Sequence, residues 1–238
     1  MIGFVRYVSS FIFYMSWSAG KVLLAALVGV KQRPGGVYDW GARHWAQGML
    51  RGTGIRVRVE GRERLLTPEP KVYISNHASF VDIWAILAEF PGTIRFVYKK
   101  GMDWIPLMGQ AMRAARHIPI DRRNRSASFA AYAEAAKYIR DEGTSAIVFA
   151  EGTRSRDGRL KPFKKGPFVL AIAARAPVVP VFCENAFELM PRGSWSPKPG
   201  TVTLRIGEPI PTAGLDFEAR DALARRAREA ILAMGAVE

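Results

Sequence analysis

The sequence predicts an α/β fold: a mixed, mostly parallel sheet flanked by helices, preceded by an N-terminal helical element. Three observations carry this. After residue 50, short apolar or alternating runs read as strands and are separated by helix-length segments. One run, Ala146 to Phe149, is apolar throughout, as in a strand covered on both faces. Residues 1 to 30 hold only two charges, Arg6 and Lys21, and Arg33-Pro-Gly-Gly36 sets them apart from the rest of the chain.

Residues 1 to 36 are expected to form a membrane-anchoring element of one or two helices. Phe4, Val8, Phe11, Ile12 and Met15 recur at helical spacing. Tyr14 and Trp17 suit a headgroup boundary, and Arg6, Lys21, Lys31 and Arg33 flank the apolar parts. No acidic residue precedes Asp39. The apolar run from Val22 to Val30 is too short to span a bilayer by itself. An interfacial helix is the main reading. A tilted span using the whole segment, or a helix packed on the protein's own core, are the alternatives. Removal of residues 1 to 30 is expected to leave the remaining domain able to fold.

Residues 37 to 238 are expected to form the α/β domain. Tyr38 to Leu50 reads as a helix. Ile55, Val57 and Val59 alternate with charged residues as a half-buried strand. Further strands are expected at Lys71 to Ser75, Ile94 to Tyr98 and His117 to Ile120. Ser126 is expected to cap a helix running to about Arg140, with Gly143 as its stop. Val178 to Phe182 contains Pro180, which suggests an edge strand or a bulge. Thr201 to Ile206 alternates, and Asp216 to Met234 is a closing helix.

The 238 residues, 49% of them hydrophobic, suffice for one sizeable core. The net charge of +14 attracts a polyanion, either nucleic acid or an anionic bilayer. The nucleic-acid reading lacks zinc-finger spacing, a glycine-rich strand with paired aromatics and a recognition helix. Gly-x-Gly-x-x-Gly and Walker patterns are absent from the strand-to-helix junctions. The lone Cys183 excludes an intramolecular disulfide, and the three histidines do not supply a zinc site.

The active site of such a sheet is expected beyond the carboxyl ends of its strands. His77 follows the strand ending at Ser75, and Asp82 stands five residues later. With His77 in the turn and Asp82 in the first helical turn, the carboxylate can accept from one imidazole nitrogen. The other nitrogen is then free to take a proton. The alternative is that His77 only caps the helix. Phe149-Ala-Glu-Gly-Thr-Arg-Ser155 continues the apolar strand. Gly152 permits a tight turn, Thr153 and Ser155 bring hydroxyls, and Arg154 brings a fork suited to phosphate. Arg156, Arg159, Lys161, Lys164 and Lys165 add positive charge. A solvated basic loop is the alternative. Arg122 and Arg123 close a strand on the same edge, where either a phosphate contact or a turn ion pair with Asp121 is possible. His44 reads as structural.

In sequence, Asn76-His77-Ala-Ser-Phe-Val-Asp82 resembles the HX4D motif of the glycerolipid acyltransferases. Phe149 to Ser155 resembles the family's phosphate-binding segment, Ile118-Pro-Ile-Asp-Arg122 its arginine block, and Val178-Val-Pro-Val181 its proline block. Tyr98-Lys-Lys100 with Trp104-Ile-Pro106 and Gly109 resembles the linking segment, although Gly101-Met-Asp-Trp104 stands where relatives often carry Glu-Leu. The resemblance runs from about residue 50 to residue 210 and is greatest to the bacterial 1-acyl-glycerol-3-phosphate branch. It implies that His77 is a general base oriented by Asp82. Arg122, Glu151, Gly152, Thr153 and Arg154 would hold the acceptor phosphate. The donor would be acyl-CoA or acyl carrier protein, and the acceptor a lysophospholipid, foremost lysophosphatidic acid. A different lyso-acceptor, such as a lyso-ornithine lipid, is the neighbouring reading, and a non-catalytic anionic-lipid-binding module the reading from another class. No cofactor, metal or nucleic acid is implied. The implied location is monotopic, on the cytoplasmic face of the inner membrane. Backbone donors near the histidine turn are the expected oxyanion stabilisers.

Overall fold

The computed structural model describes residues 2–121 and 123–238. Helices α1 (Ile2–Leu27) and α2 (Val37–Thr53) form an antiparallel pair ahead of the first strand. The strands are β1 (Ile55–Glu60), β2 (Val72–Ser75), β3 (Ile94–Lys99), β4 (Ile118–Ile120), β5 (Ser145–Phe149), β6 (Val178–Glu184) and β7 (Gly200–Ile206). The remaining helices are α3 (Val81–Glu89), α4 (Met108–Ala114), α5 (Arg125–Glu142), α6 (Gly166–Ala174), α7 (Ala186–Leu189) and α8 (Arg220–Ala233).

The sheet order is β1-β7-β6-β2-β5-β3-β4. All neighbours are parallel except β6 and β7. The mixed, mostly parallel sheet expected from sequence is therefore present. The carboxyl ends of β2 to β6 share one edge, while β1 and β7 run the other way.

Alternation along each strand divides the apolar side chains between two cores. Tyr73, Phe96, Ile147, Phe149, Val179 and Val181 face α1, α2 and α3. Val72, Ile74, Val97, Ala146, Val148 and Val178 face α5, α6 and α8. A fully buried side chain such as Trp84 or Phe168 contributes roughly 1.5–3 kcal/mol.

Three expectations are corrected. Pro180 sits in an interior strand, between β2 and β7. Its missing N–H is tolerated because it faces the end of β7. The antiparallel ladder stops at Val181–Ile206, and the Pro180 carbonyl needs only to accept from Gly207 N at 2.8 Å. The cap of α5 is Asn124, whose side chain accepts from Ala127 N at 3.0 Å, so Ser126 lies inside the helix. The N-terminal segment also does not stand apart. One stripe of α1 belongs to the main core, with Tyr7, Met15 and Ala19 in the same buried cluster as Trp45, Tyr73 and Trp84. Removing residues 1 to 30 would uncover that cluster.

The α1–α2 contact is close because α2 presents glycines to it. A methyl on Gly41 would overlap Val22, on Gly48 the Tyr14 ring, and on Gly52 the Ser10 hydroxyl. The other end of the pair is fixed by a buried ion pair. Asp39 Oδ1 accepts from Arg95 at 2.6 Å, and Oδ2 accepts from Thr93 Oγ1 at 2.6 Å and Gly35 N at 2.9 Å. Ile12, Phe13, Trp17, Leu24 and Leu27 on the opposite stripe of α1 remain exposed. By length and composition, α1 is the one helix among the described residues able to cross a membrane.

Gly48→Ala is expected to lower the thermal midpoint by the equivalent of about 1–3 kcal/mol through overpacking against Tyr14. Gly20→Ala, in the same antiparallel pair but facing open space, is expected to be neutral or to gain up to about 1 kcal/mol of helix propensity. Differential scanning calorimetry in detergent compares the two.

Candidate active site

The β2–α3 connection carries the first half of the site. The β2 backbone ends at Ser75, and Asn76 prolongs the strand with its side chain. Its Oδ1 accepts from Cys183 N at 2.8 Å, and its Nδ2 donates to Cys183 O at 3.2 Å. His77 then lies in the turn and Asp82 in the first turn of α3. The imidazole Nδ1 and Asp82 Oδ2 are 2.9 Å apart. The same oxygen accepts from Ala78 N at 2.8 Å and Ser79 N at 2.9 Å. A carboxylate only accepts, so Nδ1 carries the proton and Nε2 is left with its lone pair. The His77 ring stacks on Phe149 with centroids 3.9 Å apart and planes 14° from parallel. The ring is thus held on one face by Phe149 and at one edge by Asp82, with its side chain 13% exposed.

The β5–α6 loop carries the second half. Ser75 and Phe149 are paired in register across β2 and β5, so the two loops leave the sheet side by side. They are joined at two points. Ser155 N donates to His77 O at 2.7 Å. Glu151 Oε1 accepts from His77 N at 2.6 Å, and Oε2 accepts from Lys161 N at 3.0 Å. Both oxygens of Glu151 are thus taken by backbone amides behind the turn, and the residue faces no open acceptor space. Burial pushes its carboxyl up to about 7, against the two amide donors. Gly152 turns the chain with φ +75°, Thr153 is exposed, and the Arg154 guanidinium lies over the Phe80 ring at 4.1 Å. Burial and the neighbouring Arg192 both lower the Arg154 pKa.

Other expected residues are placed differently. The Ser155 hydroxyl donates to Asp157 at 2.8 Å and is buried. Lys165 is paired with Asp221 at 2.7 Å, and Arg159 donates to the carbonyl of Glu238, so neither extends the Arg154 surface. Arg122 lies outside the described residues. The amides of His77, Ala78 and Ser79 are all engaged by Glu151 or Asp82, which excludes them as oxyanion donors. His44 bonds Ser18 at 3.0 Å and stacks on Trp40. His117 is buried, accepts from Phe96 N at 2.9 Å, and has its pKa lowered to about 3 by burial.

Several contributors carry no motif in the sequence. Arg192, beyond α7, reaches the Arg154 carbonyl at 3.3 Å, as does Lys161 Nζ. Tyr7 of α1 packs against Trp84 and Trp195 and lies within electrostatic reach of Arg154. Phe149 is legible in the sequence only as a strand residue. Among the described residues no three His, Cys, Asp or Glu side chains gather as metal ligands. A cavity of about 560 Å³ opens at the opposite, amino end of the sheet, beside Lys31, Arg33, Thr93 and Thr144, away from His77.

Residues 56–184 match the family model described as Acyltransferase. The 1-acyl-sn-glycerol-3-phosphate acyltransferase of Limnanthes douglasii is 36% identical over 211 residues, covering 88% of this chain and 73% of its own. The chain belongs to this acyltransferase family. It is an enzyme of lipid acyl transfer. The human 1-acyl-sn-glycerol-3-phosphate acyltransferase alpha is 32% identical over 179 residues, covering 75% of this chain and 63% of its own. The solved structure of the acyltransferase PlsC from Thermotoga maritima superposes with a TM-score of 0.76 at 25% identity, covering 99% of this chain and 96% of that one.

The Glu151 geometry has a pH signature. Its folded pKa is raised above the unfolded value, so its stabilising share is present below about pH 4.5 and is lost as pH rises through about 7. Glu151→Gln leaves one amide facing a donor and is expected to lower stability by about 1–3 kcal/mol at acid pH. The gap in thermal midpoint between wild type and variant is expected to narrow from pH 5 to pH 8.

Proposed function

We propose that the enzyme moves a fatty acyl group from an acyl-CoA or acyl carrier protein thioester to the sn-2 hydroxyl of lysophosphatidic acid, giving phosphatidic acid. The observation that carries this reading is the 2.9 Å His77–Asp82 contact beside the Arg154 loop. His77 Nε2 takes the hydroxyl proton as the oxygen attacks the thioester carbonyl. Asp82 stabilises the imidazolium that forms; as the C–S bond breaks, the imidazolium returns its proton to the sulfur and the thiol leaves. The substrate supplies the nucleophile, so no acyl-enzyme forms. The side chains of Ser75, Ser79 and Cys183 are buried and already hydrogen-bonded, which supports the same view.

Arg154 and Arg192 form the acceptor's phosphate site, with Gly152 and Thr153 shaping its loop, and Arg122 is proposed as a further contributor. Glu151 acts through the backbone of His77 and Lys161 as a positioning residue. Two neighbouring guanidiniums, neither ion-paired to a carboxylate among the described residues, suit a phosphate monoester better than a lyso-ornithine headgroup. The exposed apolar stripe of α1 supports an interfacial, monotopic placement, because its opposite stripe is occupied by the domain; the cytoplasmic face is proposed with it, as the side that holds acyl-CoA and acyl carrier protein.

Release of free thiol is the assay, with lysophosphatidic acid, lysophosphatidylcholine and lyso-ornithine lipid as acceptors. His77→Ala is expected to lose at least about 10³-fold in kcat and Asp82→Ala somewhat less, with unchanged circular dichroism for His77→Ala. Full turnover by His77→Ala sinks the mechanism. Arg192→Ala is expected to raise KM for lysophosphatidic acid about tenfold or more, the loss of one charge-assisted pair, with little change for the donor. Equal rates on all three acceptors would overturn the phosphate assignment.

A further inference from the structure

The segment between β3 and α4 lies outside the site and exposes four consecutive residues, Trp104, Ile105, Pro106 and Leu107. Trp104 is 88% exposed, Leu107 41% and Ile105 39%. This tip is built, not loose. The Tyr98 hydroxyl donates to Asp103 Oδ1 at 2.6 Å, and Arg113 approaches the same oxygen at 3.5 Å. Gly109 permits α4 to close on the tip, since a side chain there would meet the Asp103 backbone. Met108 N donates to Pro106 O at 2.7 Å across Leu107, which takes φ 64° and ψ −51°. That is a γ-turn of the rare, strained hand, unusual for a leucine.

We infer that the Trp104–Leu107 tip is a second membrane-inserting element, which docks the enzyme on an anionic bilayer together with the exposed stripe of α1. The inference rests on the interfacial reading of α1 proposed above. Three features point to a bilayer. First, α4 packs against α1, with Ala111 and Ala115 in one cluster with Val22, so the tip is carried on the same side of the sheet as α1, whose outer stripe exposes Ile12, Phe13 and Trp17. Two exposed apolar surfaces on one side of the sheet suit a single bilayer face. Second, the chemistry is interfacial: an indole at the tip, aliphatic side chains next to it. Third, the rim is cationic. Lys99 and Lys100 are exposed beside the tip.

The test uses the full chain. Cys183 is fully buried, so a thiol introduced by Trp104→Cys can be labelled selectively with a polarity-sensitive fluorophore. Glu218→Cys, on the opposite face of the molecule, is the control. Both proteins are mixed with phosphatidylglycerol-rich or phosphatidylcholine vesicles, and co-sedimentation is read alongside emission and quenching by brominated lipid. The label at position 104 is expected to shift blue and be quenched on anionic vesicles, with no response at 218. Unlabelled Trp104→Ser is expected to lower partitioning about tenfold. Co-sedimentation with a label that stays in water overturns this inference and leaves the interfacial reading of α1 standing. Failure of wild type to co-sediment overturns both. A label that responds to an acidic carrier protein and not to vesicles assigns the tip to protein docking and overturns it as well.

Discussion

The candidate catalytic edge depends on the burial of one carboxylate. Asp82 has no solvent exposure, and an unpaired charge in such a place costs several kcal/mol. Three donors meet its Oδ2 at 2.8 to 2.9 Å, two of them amides of the turn and the third His77 Nδ1. Its place in the first turn of α3 adds the favourable end of the helix dipole. The turn can satisfy this charge in only one shape, and that shape orients the imidazole. Asp82 Oδ1 is buried and without a partner among the described residues, so the charge rests on the three donors at Oδ2. Glu151 repeats the logic on the other side, where a buried carboxyl is held by the amides of His77 and Lys161.

Sheet topology then decides which loops share this edge. Parallel pairing of β2 with β5 brings the His77 and Arg154 loops out together. The one reversal, between β6 and β7, keeps residues 185 to 199 on the same edge, because antiparallel neighbours are joined at one end of the sheet. That connection delivers Arg192 to the Arg154 loop and Trp195 to Tyr7. A fully parallel sheet would have needed a crossover and carried this segment to the far side.

Helix α1 is shared between two environments. Its buried stripe completes the core beneath β2 and α3 through Tyr7, Met15 and Ala19, and glycines of α2 let it lie close. Its other stripe stays apolar and exposed. The proposed membrane contact and the stability of the domain therefore fall to opposite faces of the same helix. A substitution on the exposed stripe separates the two roles; a truncation does not.

The sequence by itself determined the alternation of strands and helices, the mixed sheet, and the pairing of His77 with Asp82. These are local: they come from side-chain period and from a five-residue spacing that places one residue in a turn and the next in a helix. Composition also marked the apolar first helix. Where sequence reading went astray, the deciding contact was distant. Pro180 reads as an edge signal until β7 ends opposite it. Glu151 reads as part of a phosphate loop until its two oxygens meet amides 74 and 10 residues away. Lys165 and Arg159 read as free cations until Asp221 and Glu238 approach. Arg192 carries no local signature at all. Charge and hydrogen-bonding capacity are written in the residue, but the partner that uses them is chosen by the packing of strands far apart in the chain, and only the tertiary structure decides that.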